Sequence, residues 1–305
     1  MPKAPALVYI EKPQRQTLQG RVAALPEFYH LGHATFTKVG SLGRHEHPGQ
    51  FEICLIVRGH VTWWAQKRIY ELRGGDVYFT WPDEPHGGLH ELMHPCEIYW
   101  IVLRIPKPKT RAARSFLHLP GAEAIELCRR VHALKDRHLR GAEKLAPYYE
   151  RLFEHLRACG SLDVVHARAL IQQMLATLVM LPLAGDETKG FIPPGIRRAR
   201  EFLDGLPRPW PTVKELAGLS GMSVSHFHAC FVREVGMAPM EYAHRERLKK
   251  AITMLRDHGA TVTAVAERLG YCSSQHLATC CKRYLGKAPS QMVTGEADLK
   301  PQKQR

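Results

Sequence analysis

The feature that most constrains this chain is a pattern that occurs twice in its C-terminal third. The first copy spans Val213–Gly221 and the second spans Val262–Gly270, an offset of 49 residues. In each copy, apolar and small residues recur at i, i+3 and i+4, so they share one face of a short helix. Thr212 and Thr261 stand where helix N-caps belong, and the closing glycines suit a turn. Each copy therefore predicts a capped helix that ends in a glycine turn.

A second helix is predicted after each turn, opening near Ser225 and near Ser274. Both helices should end at a Gly-x-Ala-Pro sequence, at 236–239 and 286–289, because glycine favours a left-handed C-terminal turn and proline stops the helix. Between the copies, Met240–Asp257 predicts an uninterrupted helix of roughly 27 Å. A helix, a glycine turn and a second helix form a helix-turn-helix, whose second helix can enter a DNA major groove. A helical module that binds only proteins is the alternative.

The doubled motif, its Gly-x-Ala-Pro ends and the bridging helix resemble the DNA-binding domain of the AraC/XylS family of transcription regulators. The resemblance covers residues 196–295, and Leu269-Gly270-Tyr271 is similar to the family's Leu-Gly-Phe turn. It implies two helix-turn-helix units joined by a long helix. It also implies double-stranded DNA as a partner, a homodimer, and contact with RNA polymerase.

The predicted recognition helices depart from the family's usual Phe-Ser-Arg-x-Phe sequence. Residues 227–231 read Phe-His-Ala-Cys-Phe and residues 277–281 read Leu-Ala-Thr-Cys-Cys, so neither supplies the arginine that binds guanine through two hydrogen bonds. For the two histidines, contact with phosphate is as reasonable as contact with a base. The candidates for base contacts are Ser225, His228, Ser274, Gln275, His276 and Thr279, and those for the DNA backbone are Arg233, Arg245, Lys249, Lys250, Lys282 and Arg283.

Charge and composition agree with a nucleic-acid partner. The formal net charge is +14, and residues 190–305 hold 18 Lys and Arg against 10 Asp and Glu. A basic surface binds phosphate with an affinity that falls as salt rises. The sequence has no segment of signal-peptide character, and its longest apolar stretch, 169–183, is too short to span a bilayer, so we expect a cytoplasmic protein without a membrane partner. Eight cysteines without a Cys-x-x-Cys pair suit free thiols.

The N-terminal part has a different pattern. Short runs rich in Val, Ile, Tyr, Phe and Trp are separated by glycine and proline turns. Closely spaced strands without a helical period favour a small β-barrel or jelly roll. The clearest predicted strands are Phe51–Val57, Val61–Ala65, Val77–Trp81 and Glu97–Leu103.

Within these strands, the order of His45, His47, Glu52 and His86 resembles the two motifs of cupin barrels, which bind a metal in cupin enzymes. His45 and His47 are two residues apart, so on a strand their side chains face the same way. Three imidazoles and a carboxylate suit Zn, Mn, Fe or Ni, which makes these residues candidate ligands of a divalent metal. The alternative is a pocket that binds its ligand without a metal, in which case no cofactor is required.

Tryptophans are concentrated in the same region. Trp63, Trp64, Trp81 and Trp100 are four of the five in the chain. A tryptophan ring offers an apolar face and one N–H donor, which suits stacking on a sugar, although core packing is an equal explanation. The candidate effector pocket is therefore His45, His47, Glu52, Trp81 and His86, and a carbohydrate is the predicted effector.

Residues 121–184 are predicted to be helical, over Glu123–Leu139, Pro147–Arg157 and Asp163–Leu181. The resemblance implies a dimerisation and linker role, although packing on the barrel explains the pattern equally well. The predicted organisation is a cupin-like effector domain at 1–120, helices at 121–184, a linker at 185–195, the DNA-binding domain at 196–295 and a polar tail at 296–305.

The predicted fold class is α+β and multidomain: a cupin-like β-barrel with following helices, then an all-α domain with two helix-turn-helix units. The predicted function is a sequence-specific transcription regulator, an activator, that responds to a small effector and is not an enzyme. A metal-dependent cupin enzyme, an isomerase or dioxygenase with a helical appendage, is the alternative.

Overall fold

The computed structural model describes residues 7–12, 14–20, 22–66, 68–181, 193–257, 259–285 and 288–293. Residues 185–192 of the predicted linker, the predicted tail and the glycine at 286 lie outside these ranges. The described residues form two compact units. Those within 1–37, 43–89 and 95–190 belong to the first, and those within 38–42, 90–94 and 191–305 belong to the second.

The first unit is built on an antiparallel sheet that confirms the predicted β-rich domain. The strands of both units, in chain order, are β1 (Val8–Lys12), β2 (Arg15–Gln19), β3 (Phe28–Phe36), β4 (Gly40–Ser41), β5 (Phe51–Ala65), β6 (Arg68–Arg73), β7 (Val77–Thr80), β8 (His86–Gly88), β9 (Leu92–Met93), β10 (Cys96–Leu103) and β11 (His138–Leu139). The strand order in the sheet of the first unit is β1-β2-β3-β10-β5-β7-β11, with β6 and β8 paired to the far half of β5. The strands β1 to β3 were not anticipated from the sequence.

Two of the predicted strands are one continuous strand, β5. Gly59 lies at its bend with φ of +92°, and a Cβ there would lie 2.5 Å from the backbone oxygen of Pro95. Before the bend β5 pairs with β10 and β7, and beyond it with β6 and β8. Because only glycine accepts both the positive φ and the close approach, one strand serves both sides of the barrel.

The two faces of the main sheet have different roles. Phe51, Ile53 and Leu55 of β5 belong to a hydrophobic core that also contains residues of the three following helices. Since side chains alternate along a strand, Glu52 and Cys54 face the opposite side, the barrel interior. The polar candidates therefore lie away from the main core.

Among its described residues the first unit also has three α-helices: α1 (Gly121–His132), α2 (Ala146–Ala158) and α3 (Ser161–Met180). The prediction of a helix over Glu123–Leu139 was wrong at its end. The chain leaves α1 at His132 and pairs His138 with Tyr78 at the edge of the sheet. The imidazole of His138 contacts Asp76 at 2.7 Å, and this contact with the sheet edge overrides the local helical pattern.

The second unit confirms the tandem helix-turn-helix arrangement. Thr212 Oγ1 accepts a hydrogen bond from the Glu215 backbone, and Thr261 Oγ1 accepts one from Ala264. Its helices are α4 (Pro194–Asp204), α5 (Val213–Ser220), α6 (Val224–Val235), α7 (Pro239–Asp257), α8 (Val262–Leu269), α9 (Ser274–Leu285) and α10 (Pro289–Val293), and it also contains the small sheet of β4 and β9.

The bridging helix α7 contributes to both cores of this unit. Tyr242 packs with the first helix-turn-helix, beside Phe227 and Phe231. Leu248 and Ile252 pack with the second, in the cluster that also holds residues of α8 and α9. One helix therefore fixes the two recognition helices relative to each other.

None of the helices in the described ranges has the length and hydropathy to cross a bilayer.

Candidate metal centre and nucleic-acid interface

The structure brings the four predicted ligands, His45, His47, Glu52 and His86, together. One ligand atom of each lies within 4.8 Å of those of the others. His86 Nε2 is 3.0 Å from Glu52 Oε2, and His47 Nε2 is 3.5 Å from Glu52 Oε1. Residues up to 41 positions apart in the chain thus form one compact donor set.

Backbone pairing explains why these side chains meet. His45 and His86 form an isolated β-bridge, with N to O distances of 3.0 and 2.9 Å in the two directions. His47 is held at a turn, where its carbonyl oxygen accepts hydrogen bonds from Gln50 and Asp83. Beyond the bend, Ala65 of β5 pairs with His86 of β8, whose imidazole contacts the Glu52 carboxylate.

Two of the imidazoles are oriented by their second nitrogen. Nδ1 of His45 is 2.9 Å from the Gly43 carbonyl oxygen, and Nδ1 of His86 is 2.8 Å from the Glu84 carbonyl oxygen. A carbonyl oxygen can only accept, so Nδ1 carries a proton in both rings. Nε2 of the neutral His45 ring therefore keeps its lone pair, whereas Nε2 of His86 donates to the Glu52 carboxylate and would lose its proton on binding a metal. Metal-binding histidines show the same arrangement, in which the outer nitrogen is fixed by a carbonyl or a carboxylate.

The charges of the centre also fit a cation. Burial would raise the pKa of the Glu52 carboxyl, but the imidazoles of His47 and His86 hold it below its usual value. Burial lowers the pKa of His45. His86 is buried too, which lowers its pKa, but its hydrogen bond to Glu52 outweighs this and raises it. The residues present, three imidazoles and an ionised carboxylate, fit a divalent transition metal.

Further polar groups that the sequence did not reveal face the same interior. The sheet registers align His30, Val102, Glu52 and Thr80 in one lateral row, so Thr80 is directly opposite Glu52. Thr80 Oγ1, His30 Nε2 and Trp63 Nε1 are buried and have no hydrogen-bond partner among the described residues. Burial lowers the pKa of His30 to about 4, so it is neutral. Only the strand registers disclose this row, because its members come from four different strands.

The structure places Trp81 outside the four-residue cluster, which corrects its assignment to the pocket. Its ring packs against Phe79 at 4.9 Å and lies under the Arg137 guanidinium at 4.6 Å. Strand alternation explains the difference, because Thr80 and not Trp81 shares a face with Glu52. Trp63 is buried and contacts Tyr78 at 5.5 Å, so it is the interior member of the Trp63 and Trp64 pair.

In the second unit, most of the candidates for base contacts lie on exposed faces of α6 and α9. Ser225, His228, Gln275, His276 and Thr279 are exposed, and Ser274 is half-buried. The apolar residues Phe227 and Leu277 point inward on the same helices. Along α9 a groove of about 460 Å³ is lined by Ser274, Gln275, Thr279, Lys282 and Ser290 together with apolar residues such as Val262 and Ala278.

The basic candidates are placed less uniformly. Lys250, Lys282 and Arg283 are exposed, and Arg233 is exposed beside Glu234. Lys249 is half-buried and lies 2.7 Å from Glu246. Arg245 corrects the prediction: its residue is 6% exposed and its guanidinium is 2.6 Å from Glu241, so it has almost no surface to offer a phosphate. The helical pattern of α7 turns that position toward the core.

All eight cysteines are free thiols, as the sequence suggested. Cys280 and Cys281 are buried in the second helix-turn-helix, and burial raises the pKa of both thiols.

A ligand-binding type of barrel and a tandem helix-turn-helix in one chain define a class of transcription regulators, and the comparisons agree. Residues 31–179 match the family model of an AraC-like ligand binding domain, and residues 216–294 match that of a helix-turn-helix domain. The chain belongs to the AraC family.

Relatives support this assignment with different coverage. An AraC-like transcription regulator of Streptomyces antibioticus is 31% identical over 40% of this chain and 44% of its own length. An AraC-like transcription regulator of Streptomyces lividans is 39% identical over 27% of this chain and 27% of its own length. The chain thus spans less than half the length of these two relatives. The HTH-type transcriptional activator RhaS of Klebsiella pneumoniae is 24% identical over 82% of this chain and 87% of its own.

Proposed function

We propose that this chain is a sequence-specific DNA-binding transcription regulator whose barrel binds a small effector. The observation that carries the proposal is the pair of helix-turn-helix units built on the single helix α7, each with a polar, exposed recognition helix. RhaS of Klebsiella pneumoniae, which aligns over 87% of its length, is named a transcriptional activator, and we extend that role to this chain. The relatives are named as regulators, so we propose this class rather than an enzyme.

The geometry of α7 favours the use of both units on one DNA molecule. Its 19 residues extend about 28 Å, close to the ~34 Å that separates successive major grooves on one face of B-DNA. Gln275 is exposed on α9 and its side-chain amide can bind adenine through two hydrogen bonds. The exposed Lys250, Lys282 and Arg283 would contribute affinity without sequence preference.

A mobility-shift experiment with the promoter DNA beside its own gene tests DNA binding. We expect sequence-selective binding that weakens as salt rises. Gln275→Ala should relax selectivity at one base pair, whereas Gln173→Ala, at an exposed position of α3, serves as the matched control and should leave binding unchanged. Equal affinity for promoter and scrambled DNA would contradict the proposal.

The effector would bind inside the barrel. Three buried polar atoms that have no partner in the described part of the chain, Thr80 Oγ1, His30 Nε2 and Trp63 Nε1, would each gain a hydrogen bond from an oxygen-rich ligand. Unsatisfied buried groups are costly, about 1–3 kcal/mol each, so a ligand that pairs them gains affinity. A small carbohydrate offers hydroxyl groups in this number, and the Trp63 ring provides an apolar face for stacking.

We also propose that His45, His47, Glu52 and His86 hold a divalent metal. A bound metal would supply a Lewis acid that attracts oxygen atoms of the effector. The chain's own residues do the rest: Gly43 and Glu84 carbonyls orient two imidazoles, and Thr80 stands beside the carboxylate. Metal analysis of the purified protein tests this, with Glu52→Gln and His86→Ala expected to lose the metal and the exposed His228→Ala expected to keep it.

A homodimer is supported by an exposed apolar stripe on α3. Leu162, Val165 and Met180 are 75%, 52% and 52% exposed. Leu162, Val165, Ala169, Ala176 and Met180 are spaced by three, four, seven and four residues, which keeps them on one seam of a helix. Sedimentation of wild type and Val165→Glu tests this, because a charge in the seam should produce monomers. Glu154→Lys, an exposed change on α2, is the control and should remain dimeric.

A further inference from the structure

A buried ion pair lies next to the candidate metal centre. Arg137 binds Glu84 through two hydrogen bonds, Nη1 to Oε2 at 2.7 Å and Nη2 to Oε1 at 2.8 Å. The two side chains are only 5% and 4% exposed. A buried ion pair is weak evidence for stability, because desolvation of both charges offsets their attraction. Its position therefore invites a functional explanation.

Glu84 links this pair to a candidate metal ligand. Its carbonyl oxygen accepts the Nδ1 hydrogen bond of His86 at 2.8 Å. Its carboxylate accepts a hydrogen bond from the Trp81 backbone at 3.2 Å while it binds Arg137. Because the side chain is held at both oxygens, the backbone of Glu84 has little freedom. The contacts of the Glu84 carboxylate with Arg137 and with the Trp81 backbone therefore set the direction of the Glu84 carbonyl, and the carbonyl in turn orients the His86 imidazole.

Arg137 is itself fixed from several sides. Its guanidinium lies over the rings of Trp81 at 4.6 Å and Tyr70 at 5.4 Å. Its carbonyl oxygen accepts the Phe79 backbone hydrogen bond at 3.0 Å. Arg137 belongs to the segment between α1 and α2, which continues directly into β11 at the sheet edge. The guanidinium thus joins the loop before His86 to the connection between two helices.

We propose that Arg137 is a positioning residue of the metal centre. It orients Glu84, whose carbonyl sets the His86 imidazole, and it couples occupancy of the centre to the segment 133–145. The inference rests on the proposed metal centre. It adds a residue 51 positions from His86 that reaches this ligand through Glu84. Lysine cannot replace it, because one ammonium cannot satisfy both carboxylate oxygens in the fork geometry of a guanidinium.

Metal affinity of the full chain tests the proposal, measured by competition of Zn²⁺ with a chromophoric chelator. We expect Arg137→Lys and Glu84→Gln to weaken Zn²⁺ binding by roughly 10- to 100-fold, the usual effect of losing an outer partner of a ligating histidine. Arg130→Lys is the matched control, because Arg130 forms an Arg–Glu pair with Glu126 in which both side chains are more than 40% exposed. Its Zn²⁺ affinity should equal that of wild type.

A second readout separates positioning from a merely structural role. Hydrogen exchange of peptides covering 133–145 should slow when Zn²⁺ binds the wild type and should respond less in Arg137→Lys. Circular dichroism of the metal-free proteins checks that each variant is folded. If a folded Arg137→Lys binds Zn²⁺ as tightly as wild type, the inference is wrong and the metal centre stands. If wild type itself fails to bind Zn²⁺, the proposed centre is wrong and the inference falls with it.

Discussion

The duplication offers a matched test of helix capping within one chain. Thr212 and Thr261 cap corresponding helices, but only the first belongs to a capping box. Glu215 Oε2 accepts hydrogen bonds from the Thr212 backbone at 2.6 Å and from its hydroxyl at 2.9 Å, whereas the corresponding position of the second unit is Ala264. Thr212→Ala removes two hydrogen bonds of the hydroxyl, the one that it accepts from the Glu215 backbone and the one that it donates to the Glu215 carboxylate, whereas Thr261→Ala removes one. We expect local losses of roughly 1–2 kcal/mol and roughly 0.5–1 kcal/mol, respectively.

The capping box also predicts a pH dependence that the second cap lacks. Hydrogen bonds from the Thr212 backbone and hydroxyl lower the pKa of Glu215 below its usual value of 4.5. A carboxyl whose pKa falls on folding contributes stability above its unfolded pKa and loses it as pH drops through the folded value. The excess effect of Thr212→Ala should therefore be present at pH 7 and shrink below about pH 4.5.

Hydrogen exchange of the amides of α5 and α8 measures the two opening free energies separately. The measurement is made on the full chain at several pH values, with the unchanged helix of each variant as the internal control. Equal losses at the two caps, or a difference that persists unchanged at acid pH, would refute this account of the capping box.

Two further predictions follow from particular positions. Lys282→Ala should weaken binding to specific and unrelated DNA alike and reduce the slope of log affinity against log salt concentration by about one. Arg245→Ala should lower the melting temperature of the protein and leave this slope nearly unchanged, since Arg245 is buried. Fluorescence anisotropy of labelled DNA at several salt concentrations measures the slope for both variants. If Arg245→Ala reduced the slope and Lys282→Ala did not, the assignment of Lys282 to the DNA backbone and of Arg245 to the core would be wrong. Gly59→Ala should cost about 2–4 kcal/mol in urea unfolding, because backbone strain and a clash with Pro95 add, whereas Gly43→Ala, which meets open space, should cost little.

The helix-turn-helix units could be predicted because their signals are local. Caps, glycine turns and helical spacing lie within a few residues of one another, and Gly221 and Gly270 adopt the positive φ that their positions implied. His45, His47 and Glu52 were found because they lie in one short motif, and His86 because it lies in a second that resembles the other cupin motif. Within each motif the residues that carry the signal are close in the chain.

Features that depend on long-range pairing could not be predicted. The unbroken course of β5 depends on the approach of Gly59 to Pro95, and the early end of α1 depends on the pairing of β11 with β7. Thr80 becomes visible only through its register opposite Glu52, where the sequence favoured the neighbouring tryptophan. The pair of Glu84 and Arg137 joins residues 53 apart that share no motif.

A footprint of the protein on its own promoter tests the central proposal most directly. Two recognition helices fixed by α7 should give two blocks of major-groove protection on one face of the DNA, about one helical turn apart for each subunit. Substitutions at Gln275 should alter only the block read by α9. A single block for each subunit, or protection that does not depend on sequence, would contradict the proposal that both units read DNA.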